Sequence, residues 1–232
     1  MKTVLALSAL GVASFASAAQ ADLVAYWNFN TLTPSGAGVG PSNAGVTSYA
    51  PATGAGSINL TGWTSRTGTS SPFGITNFAG STVNAIAPDA AGQALALEGG
   101  TTTLSNNNAT LDVVVSLTNL QNPILTFASR NTSTGFNNNQ VSWSTDGINY
   151  TNFATYTLNT TFALQSFDFS AVNALDNASS VYLRITFLGA TSASGNNRID
   201  NVQVNASIIP TPGAAALLGL GSLAMVRRRR AR

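Results

Sequence analysis

Apolar and polar residues alternate along short segments of this chain, a pattern typical of β-strands with one buried and one wet face. In Val181 to Phe187 the odd positions are apolar, whereas Arg184 and Thr186 are polar. Val141-Ser142-Trp143-Ser144 repeats the alternation. Such signals predict nine strands: Leu23 to Phe29, Ala94 to Glu98, Leu111 to Leu117, Ile124 to Ala128, Gln140 to Ser144, Asn152 to Thr157, Phe162 to Phe169, Val181 to Phe187 and Arg198 to Val204.

Turn-forming residues separate these strands. Clusters such as Asn106-Asn107-Asn108 favour loops, and Asp146-Gly147 predicts a hairpin after Ser144. The stretch 31–93 is rich in Gly, Ala, Ser, Thr and Pro and predicts long loops with a few short strands. Between the two ends no segment has a helical period. The fold predicted for residues 22–207 is therefore all-β, a jelly-roll-type β-sandwich.

The first 21 residues have the pattern of a secretory signal peptide. Met1-Lys2 starts the chain with a positive charge, an apolar stretch follows, and Ala19 and Ala21 flank Gln20 in an A-x-A cleavage site. The apolar stretch is too short to cross a bilayer. We expect an N-terminal signal helix that lies outside the folded domain; the alternative is an N-terminal core helix.

Residues 208–232 have the composition of a hydrophobic helix followed by positive charge. Ala214 to Val226 is almost wholly apolar, and extending the run back to Ile208 gives nineteen residues. That length suffices for a bilayer core of about 30 Å. A cluster of arginines follows directly and favours a cytoplasmic C-terminus: Arg227, Arg228, Arg229 and Arg230.

This ending resembles the PEP-CTERM sorting tail of bacteria with exosortase systems. The resemblance covers residues 209–232 and rests on Pro210-Thr211-Pro212-Gly213, the apolar helix and the arginine cluster, with Thr211 in place of the family's glutamate. It implies an exosortase-type processing enzyme as partner and transient residence in the inner membrane. Delivery to the cell envelope or extracellular matrix would follow. An ordinary C-terminal anchor is the alternative.

The charge distribution argues against nucleic acid as a partner. Charged residues make up 8% of the chain, against about 25% in an average soluble domain. Six of the ten basic residues lie at the two ends. The body therefore contains four arginines and all eight acidic residues, which gives it a net charge of −4. A body of this charge has no basic face for phosphates. Cysteine and histidine are absent, which removes disulfides and the usual zinc ligands and proton carriers.

Two short motifs in the body resemble those of secreted β-sandwiches. Ser144 to Tyr150 looks like an STDG hairpin, and Gly195 to Val204 is similar to the closing strand of jelly-roll carbohydrate-binding modules and of MAM- or laminin-G-like domains. In those modules the aspartate of the closing strand often ligates a structural calcium. The resemblance implies a calcium site at Asp200, with Asn28 as a second ligand, and no other cofactor. The alternative is that Asp200 pairs with Arg198 or accepts backbone amides.

Sugar binding usually needs an exposed aromatic ring beside amide and carboxylate groups, and three residues are candidates: Trp63, Tyr49 and Tyr150. Trp27 and Trp143 share strand faces with apolar neighbours, which predicts core positions for both. Trp63 lies in a Gly/Thr-rich segment that permits exposure. The alternative is that Trp63 packs beneath a loop.

Catalytic residues are not expected. Jelly-roll glycanases need a pair of carboxylates on one face, whereas Glu98 is the only glutamate and has no acidic residue two positions away. We therefore predict a non-enzymatic, exported envelope or extracellular-matrix protein with a structural or adhesive role. The alternative is a carbohydrate-binding module for an exopolysaccharide or a plant or algal glycan.

Overall fold

A computed structural model describes residues 21–32, 46–64 and 75–210. These segments form thirteen strands and one 3-10 turn, Asn173–Leu175. The strands are β1 (Asp22–Trp27), β2 (Ser48–Tyr49), β3 (Thr53–Gly54), β4 (Ser57–Thr61), β5 (Ile75–Ala79), β6 (Gln93–Glu98), β7 (Thr110–Val115), β8 (Leu120–Asn131), β9 (Asn139–Ser144), β10 (Thr151–Tyr156), β11 (Ala163–Asp168), β12 (Val181–Thr186) and β13 (Asn196–Ile208).

The strands form two antiparallel sheets that enclose one core. The seven-stranded sheet has the order β11-β8-β13-β1-β3, with β6 also paired to β13 and β5 paired to β6. The six-stranded sheet has the order β10-β9-β12-β7-β4-β2. Strands β6 to β13 are shared between the two sheets in an order that resembles a jelly roll. The all-β prediction is confirmed, as are all nine predicted strands and the short strands in 31–93.

Alternation along each strand decides which side chains enter the core. Leu183 and Ile185 of β12 are fully buried and face the interior, whereas Tyr182 and Arg184, which alternate with them, point to the outside. Trp27 is buried, as predicted, and Trp143 is partly buried against the core. Burying a large apolar side chain contributes about 1.5–3 kcal/mol, so these inward-facing rows stabilise the packing of the two sheets.

The central strand of the seven-stranded sheet, β13, has two different neighbours on one side. Its first part, Asn196 to Ile199, pairs with β6, and its later part, Val202 to Ala206, pairs with β1. The register against β8 shifts between Asp200 and Gln203. At this irregularity Asn201 has a φ of 48°. Asp200 and Asn201 therefore lie where regular pairing is interrupted, and their side chains are available to other segments.

The last strand ends one residue beyond the predicted domain boundary. Ile208 pairs with Leu120 across β13 and β8, so it belongs to the sheet, and its assignment to the tail is wrong. Ile209 continues this contact by donating its N–H to the carbonyl of Asn119. Within the three described segments, no helix has the length and apolar character needed to cross a bilayer. The signal segment 1–20 and the tail from 211 onward lie outside the described residues.

Candidate functional site

The outer face of the six-stranded sheet presents a continuous row of polar side chains. In register across its strands, Asn59 of β4 lies opposite Asp112 of β7, Asp112 opposite Arg184 of β12, and Arg184 opposite Ser142 of β9. These positions alternate with those that face the core, which is why they share one face. Asp112 and Ser142 are themselves buried, at 7% and 3% exposure, whereas Asn59 and Arg184 are partly exposed. We call the surface centred on this row the polar face.

An ion pair lies at the middle of the polar face. The Nε and one Nη of Arg184 donate to the two carboxylate oxygens of Asp112 at 2.7 and 2.8 Å. Hydrogen bonding to Asp112 raises the pKa of Arg184 further above its ordinary value. Such a two-point contact fixes both planar groups, so the centre of the face is rigid and charged groups are presented in one orientation.

Tyr150 covers this ion pair. The guanidinium carbon of Arg184 lies 3.6 Å from the centre of the Tyr150 ring, a cation–π contact. The Tyr150 hydroxyl lies 3.5 Å from Oδ2 of Asp112. Burial and the charge of Asp112 raise the pKa of Tyr150 to about 12, although Arg184 acts in the opposite direction. The phenol is therefore a neutral hydroxyl at ordinary pH, able to donate or accept a hydrogen bond.

The predicted hairpin brings Tyr150 to this position. Strands β9 and β10 pair on either side of the turn, and Asp146 organises it by accepting the N–H groups of Ile148 and Asn149 at 2.8 Å each. These hydrogen bonds hold the pKa of Asp146 well below its ordinary value. Gly147 has a φ of 71°, which favours glycine. The STDG motif is thus a turn, and the residue that follows this turn, Tyr150, places its ring on the polar face.

Sequence reasoning did not select Tyr182, which also belongs to the polar face. It lies opposite Ser144 of β9 and Val114 of β7. The turn packs against its ring, because a Cβ at Gly147 would come within 2.9 Å of it. The sequence pattern could have identified it, since Tyr182 occupies one of the solvent-facing positions of the alternating strand. The Asp112–Arg184 pair was missed because its residues are 72 positions apart.

Trp63 is not an exposed platform. It is 7% exposed and lies in the core against Phe136 and Phe187, with ring centres 5.8 and 5.4 Å away. Its indole N–H donates to the carbonyl of Thr110 at 2.9 Å. The prediction of an exposed ring is wrong, and the alternative of a packed Trp63 is confirmed. The side chain has both an apolar pocket and a hydrogen-bond acceptor inside the protein.

Tyr49 is also buried, so its prediction as an exposed ring is wrong. Its ring meets Phe29 edge to face at 5.9 Å, and its hydroxyl donates to the carbonyl of Val46 at 3.3 Å. Burial raises its pKa above the ordinary value. Tyr49 and Asn28 line a cavity of about 360 Å³ with Trp27 and Phe29. Tyr49 therefore contributes to the packing of the core and offers no exposed ring to a sugar.

Asp200 is fully buried at the irregularity of β13. Its Oδ2 accepts the N–H of Ser81 at 2.7 Å, and its Oδ1 accepts the N–H of Asn201 at 2.9 Å. This confirms the alternative that Asp200 accepts backbone N–H groups. Asp200 does not pair with Arg198, and the ion pair found among the described residues joins Arg184 to Asp112. Burial raises the pKa of Asp200 to about 7. Asp200 therefore anchors the segment after β5 to the central strand.

A second carboxylate, Asp89, lies near this anchor. Asp89 accepts a hydrogen bond of 2.8 Å from Nδ2 of Asn28, and its charge raises the pKa of Asp200. Oxygen ligands of this kind suit calcium. The donor set fits only in part, because both Asp200 oxygens already accept N–H groups and Asn28 presents its nitrogen to Asp89. Calcium at Asp200 and Asn28 stays a prediction, and Asp89 is the carboxylate that the structure places beside Asn28.

No feature of the described segments points to catalysis. Glu98 is 4% exposed, and no group of three or more acidic residues occurs there in a metal-binding arrangement. Asp112 is used in the ion pair with Arg184. The absence of enzyme activity stays a prediction.

The chain is similar to several solved structures, all at low sequence identity. No family model matches it, and no curated protein matches it. Among solved structures, it is similar to the K3 cleaved adhesin domain of Lys-gingipain from Porphyromonas gingivalis w83, with 14% identity, a TM-score of 0.45, and 80% of this chain and 99% of that chain covered.

Two carbohydrate-binding modules are also similar. The CBM22-1 xylan-binding domain of Paenibacillus barcinonensis Xyn10C has 12% identity and a TM-score of 0.43, covering 84% of this chain and 100% of that chain. TmCBM61, solved with β-1,4-galactotriose, has 10% identity and a TM-score of 0.36, covering 56% of this chain and 81% of that chain. At these identities and scores the likeness identifies no ligand for this chain.

Proposed function

We propose that the chain is an exported, non-enzymatic protein of the cell envelope or extracellular matrix that adheres to polysaccharide through its polar face. The observation that supports this function best is the stack of Tyr150 on Arg184, which is held by Asp112. This arrangement combines an aromatic ring with fixed hydrogen-bonding groups on a sheet surface.

The chemistry of a sugar matches such a surface. A sugar ring has an apolar C–H face that packs on an aromatic ring, and hydroxyls that both donate and accept hydrogen bonds. On the polar face the ring is Tyr150, and the partly exposed hydrogen-bonding groups beside it are the Arg184 guanidinium and the Tyr150 hydroxyl. Asp112 is 7% exposed and contributes by holding Arg184 in place. The neighbouring Asn59, which is partly exposed, extends this surface across β4. Many individually weak contacts of this kind suit adhesion to a hydrated polymer.

Export is proposed from the two ends of the sequence. Ala19 and Ala21 supply the cleavage site of a signal peptide, and the apolar segment from Ala214 to Val226 is followed by Arg227. Processing at the Pro210-Thr211-Pro212-Gly213 motif by an exosortase-type enzyme would release the domain from the inner membrane. Fractionation of cells with and without the enzyme tests this part. A full-length chain found wholly in the cytosol, with Met1 retained, would contradict it.

The adhesion proposal is tested by binding of the purified protein to a panel of neutral polysaccharides. We expect binding that Tyr150→Ala reduces by about tenfold and that Tyr150→Phe largely preserves, because the ring supplies the packing surface. Ile208→Ala is the matched control, since Ile208 is an exposed apolar residue of the other sheet. It should leave binding unchanged.

Two other outcomes would change the proposed function. Normal delivery to the matrix with no binding to any polysaccharide favours a purely structural protein. Turnover of a glycan by the wild-type protein would refute the non-enzymatic proposal.

A further inference from the structure

Two arginines face each other on the outer face of the seven-stranded sheet. Arg198 of β13 pairs directly with Arg130 of β8 in the register of the sheet. Both point outward, because Ser129 and Ile199, the adjacent residues, are fully buried on the core side. Like charges directly opposite each other on neighbouring strands destabilise a sheet. This pairing is therefore unfavourable unless something compensates the two charges.

Among the described residues, neither arginine has a carboxylate in an ion pair with it. Both Nε atoms are buried without a hydrogen-bond partner, and the ion pair of the described residues is at Arg184. Asp200, two positions along β13, accepts backbone N–H groups. On the neighbouring strand β6, Glu98 lies opposite Asn196 and not opposite Arg198. Burial and the charge of Arg130 lower the pKa of Arg198.

Aromatic rings flank the two guanidinium groups. The guanidinium carbon of Arg198 lies 4.5 Å from the centre of the Phe78 ring, and that of Arg130 lies 6.0 Å from the centre of the Phe162 ring. These contacts limit the orientations of both side chains. Both arginines are only partly buried, so a ligand can reach them from solvent. The exposed Leu164 of β11 lies two residues after Phe162, which immediately precedes the strand.

We propose that Arg130 and Arg198 form a binding site for the carboxylate or sulfate group of an acidic saccharide. Arginine forks bind such oxyanions through two parallel hydrogen bonds, and a bound anion removes the repulsion between the two cations. Phe162 and Leu164 offer an apolar surface for the sugar ring that carries the anion. The choice of a saccharide rests on the proposed function, whereas the anion site rests on the arginine pair.

Calorimetry with the full-length protein tests the site. The probes are polygalacturonate for carboxylate, dextran sulfate for sulfate ester and dextran as the neutral control. We expect the double variant Arg130→Gln/Arg198→Gln to bind at least one acidic probe about tenfold more weakly or worse. The arm that responds identifies the anion. The arginines of the C-terminal cluster are the same in both proteins, so the difference reports on the pair.

The double lysine variant separates charge from geometry. Arg130→Lys/Arg198→Lys keeps both charges but loses the planar fork, so its affinity should lie between those of the other two proteins. Thermal melts check folding. Without an added anion, the double glutamine variant should melt no lower than the wild type, because the repulsion is gone. Sulfate stabilises proteins in general, but it should raise the melting temperature of the wild type more than that of the double glutamine variant.

The outcomes distinguish this inference from the adhesion proposal. Neutral-glycan binding that depends on Tyr150 reports on the polar face alone and should persist in the double glutamine variant. If the wild type and this variant bind both acidic probes equally, or if acidic binding disappears only in Arg184→Gln, the arginine-pair site is refuted. Equal stabilisation of both proteins by sulfate would also overturn it.

Discussion

Arg184 and Asp112 lie directly opposite each other on β12 and β7 and share two hydrogen bonds of 2.7 and 2.8 Å. The pair is 72 residues apart in sequence. It organises the polar face because Tyr150 stacks on the guanidinium that Asp112 holds in place. By contrast, Arg130 and Arg198 occupy an equally direct cross-strand pairing on the other sheet, and in the part of the chain that the structure describes neither forms an ion pair.

Removing the charge of Asp112 should destabilise the protein. In Asp112→Asn the guanidinium of Arg184, whose side chain is 25% exposed, loses its charged partner in a partly buried position. We expect a loss of about 1–3 kcal/mol in the free energy of unfolding, measured by urea denaturation. The control Asp168→Asn changes an exposed carboxylate and should stay within about 0.5 kcal/mol of the wild type. Equal effects of the two substitutions would contradict the structural role of the pair.

Truncation of Trp63 tests its place in the core. Trp63→Ala removes a buried ring that contacts Phe136 and Phe187, and the expected cost is about 3–5 kcal/mol. Ile148→Ala, at a side chain 81% exposed, should cost little. The measurement is again urea unfolding. A small effect at Trp63, combined with loss of glycan binding, would return this residue to the binding surface.

Asp200 should make stability depend on pH between about 4 and 7. Its pKa is raised from 3.8 to about 7 in the folded protein, so the native state binds more protons than the unfolded state within this window. The contribution of Asp200 to stability is therefore largest below about pH 4 and is lost as the pH rises to about 7. The lowered pKa of Asp146 acts below this window.

The measurement is the melting temperature from pH 4 to pH 8 in the presence of a chelator. The wild type should lose stability across the range, and Asp200→Asn should show a smaller loss, because the amide does not ionise. Parallel curves for the two proteins would show that Asp200 does not titrate in this window.

Calcium binding is tested by the same melts with metal added. If Asp200, Asn28 and Asp89 hold calcium, millimolar calcium should raise the melting temperature, and a chelator should reverse the change. Asp89→Asn and Asp200→Asn should each abolish the shift. A wild-type melting temperature that neither calcium nor chelator changes would rule out this site.

The strands were predictable where alternation is strong, but their lengths were not. The prediction for β8 began at Ile124, whereas the strand begins at Leu120 and includes Pro123, near a register irregularity against β13. Proline lacks the N–H of a regular ladder, so local sequence argues against a strand there. Pairing with β13 extends β8 regardless, because the neighbouring backbone supplies partners that residue preferences cannot reveal.

Among the candidate binding residues, local sequence was a poor guide to exposure. Trp63 and Tyr49 both lie in segments of small and polar residues, yet both rings are buried. The turn that places Tyr150 on the surface was predictable from sequence, because Ser144, Asp146 and Gly147 specify the hairpin. Its partners Asp112 and Arg184 come from other strands, and no local pattern connects them.

The sequence by itself determined the β-strands, the turn at Asp146-Gly147 and which positions of each strand are wet, because the period of two and turn chemistry are local properties. Only the tertiary structure decided which wet positions meet. It placed Arg184 against Asp112 and Arg198 against Arg130. The physical reason is that cross-strand register is set by long-range backbone pairing and core packing, which join residues far apart in the chain.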